Sequence, residues 1–416
     1  MSRPSILVLT ASHLCRNPRV VKEATTLGAA GYDVTVMSVA VVERFARLDD
    51  ELARDLPFRR RVIDFTTGTA AGRTAHFLQR GLTWGARRLC QTFHLESAQA
   101  LGPAGALLRA ARAQRVDLTI AHTEIPLWAA RTLIEEGRRV AVDLEDWYSE
   151  DLLPADRRGR PRRLLRRAEE FALWHAAYTS TTSASMAAVL AESFHCPTPL
   201  VLRNTFPLQP QSRLDRPAGT APIGFIWFSQ TVGPGRGLEP FLDAWVQTTQ
   251  PSTVCFLGDV RPGYRDELLA RVPAARRDAL RFLAPVSPAE LPGKLTEFDV
   301  GLALESQQPR NHDLTISNKI FQYLNAGLAV VVTDTVGQTE VMRAAPAAGV
   351  LVAASEPAAY AGHLNSLLGE RDRLRACQMA ARAAATADYC WEQDAPRLLA
   401  AVAAALREPL RSGAPR

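Results

Sequence analysis

The chain has 416 residues, 47% of them hydrophobic, and its 49 basic and 43 acidic side chains leave a net charge of +6. That length carries two domains with full cores, and so small a balance by itself marks neither a nucleic-acid binder nor a strongly membrane-bound protein. No apolar run approaches the ~20 residues of a spanning helix. Residues 6–9 read as a first strand rather than the apolar stretch of a secretion signal, so a cytoplasmic protein is expected. Six cysteines, Cys15, Cys90, Cys196, Cys255, Cys377 and Cys390, lie scattered without a C-x-x-C pair, as reduced thiols do and zinc sites or disulfide frameworks do not.

Strands and helices alternate from the start, the pattern of a parallel sheet. Residues 5–10, 34–38, 62–65, 117–121, 140–144, 177–181 and 199–202 read as strands. A helix over 18–31 has Asn17 as N-cap, Pro18 at its first position and Gly31 as terminator. Segment 206–222 places Pro207, Pro210, Pro217 and Pro222 among few apolar residues and reads as an extended linker. A second series follows, with strands at 223–228, 253–257, 280–283, 300–304, 328–333 and 349–352. The tail from Glu356 is Ala-, Leu- and Arg-rich with helical period. The expected architecture is α/β, two Rossmann-like doubly wound domains facing a central cleft. They span 1–205 and 223–390, and a C-terminal helix over 391–416 has the length to return to the first domain.

Two segments of the second series read as anion sites. Gly233, Gly235 and Gly237 surround Arg236 between an apolar strand and a helix start. There, free backbone N–H groups and the positive helix end face an anion beside a guanidinium. Ser317, Asn318 and Lys319 open a second helix, which ends at Gly327. A lysine in a first turn opposes the helix dipole and wants another reason to be there. A solvated surface cation is the plainer reading of each. Two such sites in one domain suggest a diphosphate gripped from two sides.

The run Asn17-Pro18-Arg19-Val20-Val21-Lys22-Glu23-Ala24, the segment Gly31-Tyr32-Asp33-Val34-Thr35-Val36, the glycine loop and the helix over 318–327 together resemble GT-B fold glycosyltransferases, family 4-like, of the bacterial polysaccharide and glycolipid type. The likeness spans nearly the whole chain, and Asn-Lys-Ile-Phe-Gln-Tyr-Leu-Asn-Ala-Gly, similar to N-K-[LI]-F-E-Y-L-x-A-G, is its most specific part. It implies that Lys319 and Arg236 hold a nucleotide-sugar diphosphate. It also implies that Pro285 and Val286 face the nucleobase and that Glu340 approaches the donor sugar. Retaining members carry two glutamates where this chain has Leu314 and Gln322; Gln322 keeps an amide for a ribose hydroxyl, whereas Leu314 supplies no charge. The balance leans to retention, with Glu305 or Glu340 as a compensating acid.

In the first domain, Glu145 and Asp146 stand at a strand end where relatives often have a His-Glu pair. A carboxylate there can orient an acceptor hydroxyl or take its proton; a solvated acidic loop is the alternative. His122 is a second candidate contact, against the commoner structural role of a lone histidine. The loop Ser12-His13-Leu14-Cys15-Arg16 lacks the Gly-Gly of many relatives. Arg157, Arg158, Arg160, Arg162, Arg163, Arg166 and Arg167 crowd a helix with Leu164, Leu165, Ala168, Phe171 and Leu173, which reads either as a solvated face or as a basic amphipathic contact with anionic lipid.

These readings converge on a glycosyltransferase that uses a nucleotide-sugar co-substrate, needs no further cofactor and no metal, and acts on a glycan or lipid-linked acceptor. It would work peripherally at the inner membrane face and bind no nucleic acid. An epimerase on the same fold and a non-catalytic sugar-nucleotide-binding module are the rivals.

Overall fold

A computed structural model describes residues 3–217, 222–353 and 356–408. The chain divides into two compact units. One runs to Leu202 and resumes at Ala395; the other is Arg203–Asp394.

The first unit is built on a seven-stranded parallel sheet. Its strands are β1 (Ser5–Leu9), β2 (Asp33–Ala40), β3 (Arg59–Asp64), β4 (Leu118–His122), β5 (Val140–Leu144), β6 (Thr179–Thr181) and β7 (Leu200–Val201), in the order β3-β2-β1-β4-β5-β6-β7. Ile6, Leu7, Val8 and Leu9 are fully buried, as expected of a central parallel strand covered on both faces. The order reverses between β1 and β4, and ligands of such sheets bind at that switch point. The helix Pro18–Ala29 starts there. The Asn17 side chain accepts from the Val20 N–H at 3.2 Å, and Pro18 occupies the first helical position, where no N–H is required. The helix stops before Gly31, which takes the left-handed φ of 94° that turns the chain into β2.

The second unit carries a six-stranded parallel sheet. Its strands are β8 (Ile223–Val232), β9 (Ser252–Val260), β10 (Leu280–Leu283), β11 (Val300–Ala303), β12 (Ala329–Thr333) and β13 (Gly349–Val352), in the order β10-β9-β8-β11-β12-β13. Alternation along β8 feeds both faces: Phe225 and Trp227 pack with Phe241, Trp245 and Phe256, whereas Ile226 and Phe228 pack with Phe321, Tyr323 and Leu324. Gly301 of β11 is required by this second layer, because a β-carbon there would lie 2.1 Å from the Tyr323 ring.

Several elements differ from the sequence reading, β3 starting earlier and β9 ending later than read. Strand β8 continues past residue 228 to Val232, with a register irregularity between Phe228 and Thr231. The proline-rich stretch is extended but not a free linker over its described part. Phe206 and Leu208 pack on the second core, Asn325 holds the Pro207 carbonyl and the Gln209 N–H, and Arg213 pairs with Asp299 at 2.8 Å. Residues 218–221 of that stretch lie outside the described residues. The sequence reading also passed over a 24-residue helix, Ala70–Phe93.

Candidate functional site

The two glycine-bounded cations of the second unit meet at one carboxylate. Glu305 follows β11, and its Oε1 accepts from Lys319 Nζ at 2.8 Å and from Ser317 Oγ at 3.0 Å, while Oε2 lies 3.7 Å from the Arg236 guanidinium. The backbone brings them there. Gly237 has a left-handed φ of 71°, and a β-carbon on it would press within 3.2 Å of Leu304, next to Glu305. Gly235 is also left-handed with open space where a side chain would project, so a ligand can approach its backbone. Gly233 is packed instead, against the Arg261 side chain.

Lys319 is 7% exposed and its ammonium sits 5.5 Å over the Trp227 ring; Arg236 keeps 42% of its side chain exposed. The charge is thus arranged asymmetrically, with a buried point charge behind and a planar fork toward solvent. Burial alone would raise the Glu305 carboxyl, but Lys319 and Arg236 hold it below the ordinary carboxylate range. Asn318 and Gln322 are half-buried on the helix Asn318–Ala326, and Ser317 precedes it. Pro285 is exposed after β10 and Val286 packs on the core. Glu340 is half-buried on the helix Val336–Ala344, near enough for its charge to act on the Tyr389 phenol. Leu314 is buried at the end of the helix Arg310–Leu314.

In the first unit, Asp143 at the end of β5 is the centre of a buried charge network. Arg19 forks onto it with two 2.6 Å hydrogen bonds and donates a third to the Leu202 carbonyl at 2.8 Å. His122 lies 3.1 Å from Asp143 and 3.3 Å from Glu23, and Arg19 lies 3.4 Å from Glu23. Burial would lower the His122 imidazole, yet Glu23 and Asp143 push it up to about 10. Two cations then balance two anions, the arrangement that makes buried charge tolerable. His122 was read as a contact to acceptor or donor. It is instead an interior imidazolium with 0% exposure, because the acids flanking it come from a neighbouring strand and helix that no local pattern reveals. Glu23, His122 and Asp143 are also close enough to ligate a metal, but the Arg19 guanidinium already neutralises that carboxylate pair.

Glu145 and Asp146 follow directly and are half-buried. Burial and the adjacent Asp146 carboxylate push Glu145 up to about 7, with Asp143 adding to the rise and Arg19 opposing it. The loop is held from below: Glu169, buried on the helix Arg162–His175, accepts from the Ser149 N–H at 2.9 Å and the Ser149 hydroxyl at 2.6 Å. It is therefore a fixed acidic loop and not a solvated one. The His13 loop is tied as well. The Val41 and Val42 N–H groups donate to Nε2, so Nδ1 carries the proton that it donates to Asp49 at 2.9 Å.

Comparison with known proteins bears on this geometry. Residues 224–370 match the family described as glycosyl transferases group 1. That similarity lies wholly within the second unit. Across the chain, the sucrose-phosphate synthase of Thermosynechococcus elongatus shares the fold at TM-score 0.71 and 14% identity, covering 96% of this chain and 98% of that one. Anabaena HepE in complex with UDP-glucose follows at TM-score 0.65 and 17% identity, covering 96% and 100%. A putative UDP-N-acetylglucosamine 2-epimerase from Listeria monocytogenes shares it at TM-score 0.58 and 12% identity, covering 98% and 97%. No curated protein matches the chain by sequence. The chain has the GT-B fold, and the group 1 match contains Arg236, Glu305 and Lys319.

Within this GT-B chain the arginine cluster does not form the lipid-facing helix that its pattern suggested. Leu165, Ala168 and Leu173 point into the core. Arg157 and Arg162 pair with Glu150, Arg160 with Glu124, and Arg163 with Glu96. The pairing acids are distant in sequence or on other turns, which a count of arginines cannot show.

Proposed function

We propose that this GT-B protein is a glycosyltransferase that moves a hexose-type sugar from a nucleoside-diphosphate donor to a glycan or lipid-linked acceptor in the cytoplasm, with protein cations in the place of a metal. The observation that carries this reading is the meeting of Arg236 and Lys319 on Glu305 inside the group 1 match.

The leaving diphosphate gains negative charge as the glycosidic bond breaks, so cations fixed beforehand lower the barrier. Arg236 offers a two-pronged grip from the solvent side and Lys319 a point charge from the interior. Glu305 keeps both in place before the donor arrives and lets the ammonium turn to a phosphate oxygen when it does. In the first unit, Glu145 is ionised above about 7 and then accepts the hydrogen bond of an acceptor hydroxyl. Glu305 is already engaged by two cations and does not replace the carboxylate missing at Leu314. We expect the sugar to be retained in configuration, the departing diphosphate taking the acceptor proton.

A panel of nucleotide sugars and free nucleotides in a thermal-shift assay identifies the donor, since a ligand of the folded state raises Tm. Incubating that donor with lipid-linked and glycan acceptors and following transfer then tests the reaction. An isomerised donor formed without acceptor would make the protein an epimerase, and binding without transfer to any acceptor would make it a sugar-nucleotide-binding module.

A further inference from the structure

The helix Ala70–Phe93 exposes a face that a folded protein ordinarily hides. Trp84 is 71% exposed, Phe77 66% and Phe93 65%, with Leu78 and Leu82 close behind. Spacing sets these residues in two rows that flank Gly81, Gly85 and Arg88 on the exposed side of the helix. Phe77 and Trp84 stand two turns apart, and Leu78, Leu82, Leu89 and Phe93 recur at intervals of four, seven and four, which aligns each set along the helix. The opposite side packs through small or polar residues, among them Ala86 and Cys90, both buried. The amphipathic pattern is therefore turned outward. At 24 residues the helix is about 36 Å long at 1.5 Å per residue.

Charge says what covers this face. From residue 65 to residue 95 there is no Asp or Glu, while Arg73, Arg80, Arg87 and Arg88 lie on the helix. All four are exposed beside the aromatic residues. A protein partner with an apolar surface would not call for these arginines beside the exposed rings. A bilayer does, because apolar rings sink to the acyl boundary while guanidinium groups stay among anionic headgroups. No helix among the described residues is long and apolar enough to cross a membrane, and four arginines keep this one in the interface plane.

We propose that the helix Ala70–Phe93 lies in the surface of an anionic bilayer. This assigns membrane contact to an element different from the arginine-rich helix Arg162–His175, and it stands independently of the donor chemistry.

The test is sedimentation of the full chain with vesicles of phosphatidylcholine alone and of phosphatidylcholine with 30% phosphatidylglycerol (about that fraction is enough to set a negative surface potential). The wild type should pellet with the anionic vesicles and be released as salt rises. The triple variant Phe77→Ser, Trp84→Ser, Phe93→Ser should lose binding by roughly tenfold or more while keeping its Tm, since the three rings are exposed. In the same vesicles wild-type tryptophan emission should shift to the blue and be quenched by brominated acyl chains, and Trp84→Phe should remove most of that change, a readout that does not depend on the triple variant folding. Equal recovery with neutral and anionic vesicles overturns the proposal, as does unchanged binding by a folded triple variant. A dimer seen by light scattering that the triple variant dissociates, with no vesicle binding, would assign the face to a second copy and overturn it too.

Discussion

The Lys319 ammonium lies 2.8 Å from the Glu305 carboxylate, although the two residues belong to different elements, one in the first turn of a helix and the other just past a strand. An amine placed against the positive end of its own helix is offset by this acid. The pair is 9% exposed on each side, so neither charge is screened by bulk water. Arg236→Ala and Lys319→Ala should each weaken nucleoside-diphosphate binding by about 1–3 kcal/mol, the scale of a charge-assisted hydrogen bond. Lys319→Ala should also lower Tm, because it leaves a buried carboxylate with one distant cation, whereas Arg236→Ala should not. Titration calorimetry with the donor found by thermal shift checks both, and unchanged affinity in both variants would remove the donor site.

Glu145 gives the pH dependence. With its carboxyl pushed up to about 7, kcat/KM should rise through that pH as the carboxylate forms, and Glu145→Gln should be slow and flat. Asp146→Asn removes the adjacent like charge and should move the rise to lower pH. Stability runs the other way. A carboxyl raised in the folded state contributes stability that is complete below its unfolded value of about 4.3 and is lost as pH passes the folded value. Glu145→Gln should therefore be more stable than wild type at pH 8 and equal to it at pH 4, as measured by urea unfolding. Equal pH profiles for wild type and Asp146→Asn would refute the coupling.

The His122 network is a structural element. Its imidazole is pushed up to about 10, so its contribution is complete below the unfolded value of about 6.5 and is lost as pH rises through the folded one. Wild type should lose stability between these values, and His122→Gln should lose less over the same window. Arg19→Ala leaves Asp143 and Glu23 buried beside one cation and should cost about 3–5 kcal/mol. Denaturant midpoints at pH 6, 8 and 10 check both; a midpoint for Arg19→Ala within error of wild type would contradict the network.

Gly301→Ala should destabilise the second unit by at least about 1–3 kcal/mol, the usual penalty for overpacking, because its methyl group has to displace the Tyr323 ring. Donor affinity should fall with it, since Tyr323 shares a helix with Lys319. A variant with unchanged Tm would show that the ring has somewhere else to go.

The anomer of the product decides the stereochemistry. Retention is expected on the proposed mechanism, in which the departing diphosphate takes the acceptor proton and positions 314 and 322 hold Leu and Gln, not carboxylates. An inverted centre by NMR would instead make Glu145 a true base in a direct displacement.

By itself the sequence determined the alternation of strands and helices, the two parallel sheets and the placing of one cation in the glycine loop Gly233–Gly237 and one at the helix start Ser317–Lys319. Each of these depends on local rules: side-chain period, proline at a helix start, glycine where φ turns positive, all read within a few residues. Only the tertiary structure decided which charges meet. Glu305 joins Arg236 to Lys319, Arg19 and Glu23 enclose His122 with Asp143, and the arginine cluster is largely paired off. These partners are separated by up to 124 positions, and Coulomb attraction depends on distance in space, which spacing along the chain does not encode. The same holds for the helix Ala70–Phe93. Its spacing makes it amphipathic once it is helical, but its apolar side faces outward only because the rest of the unit packs against its small-residue side.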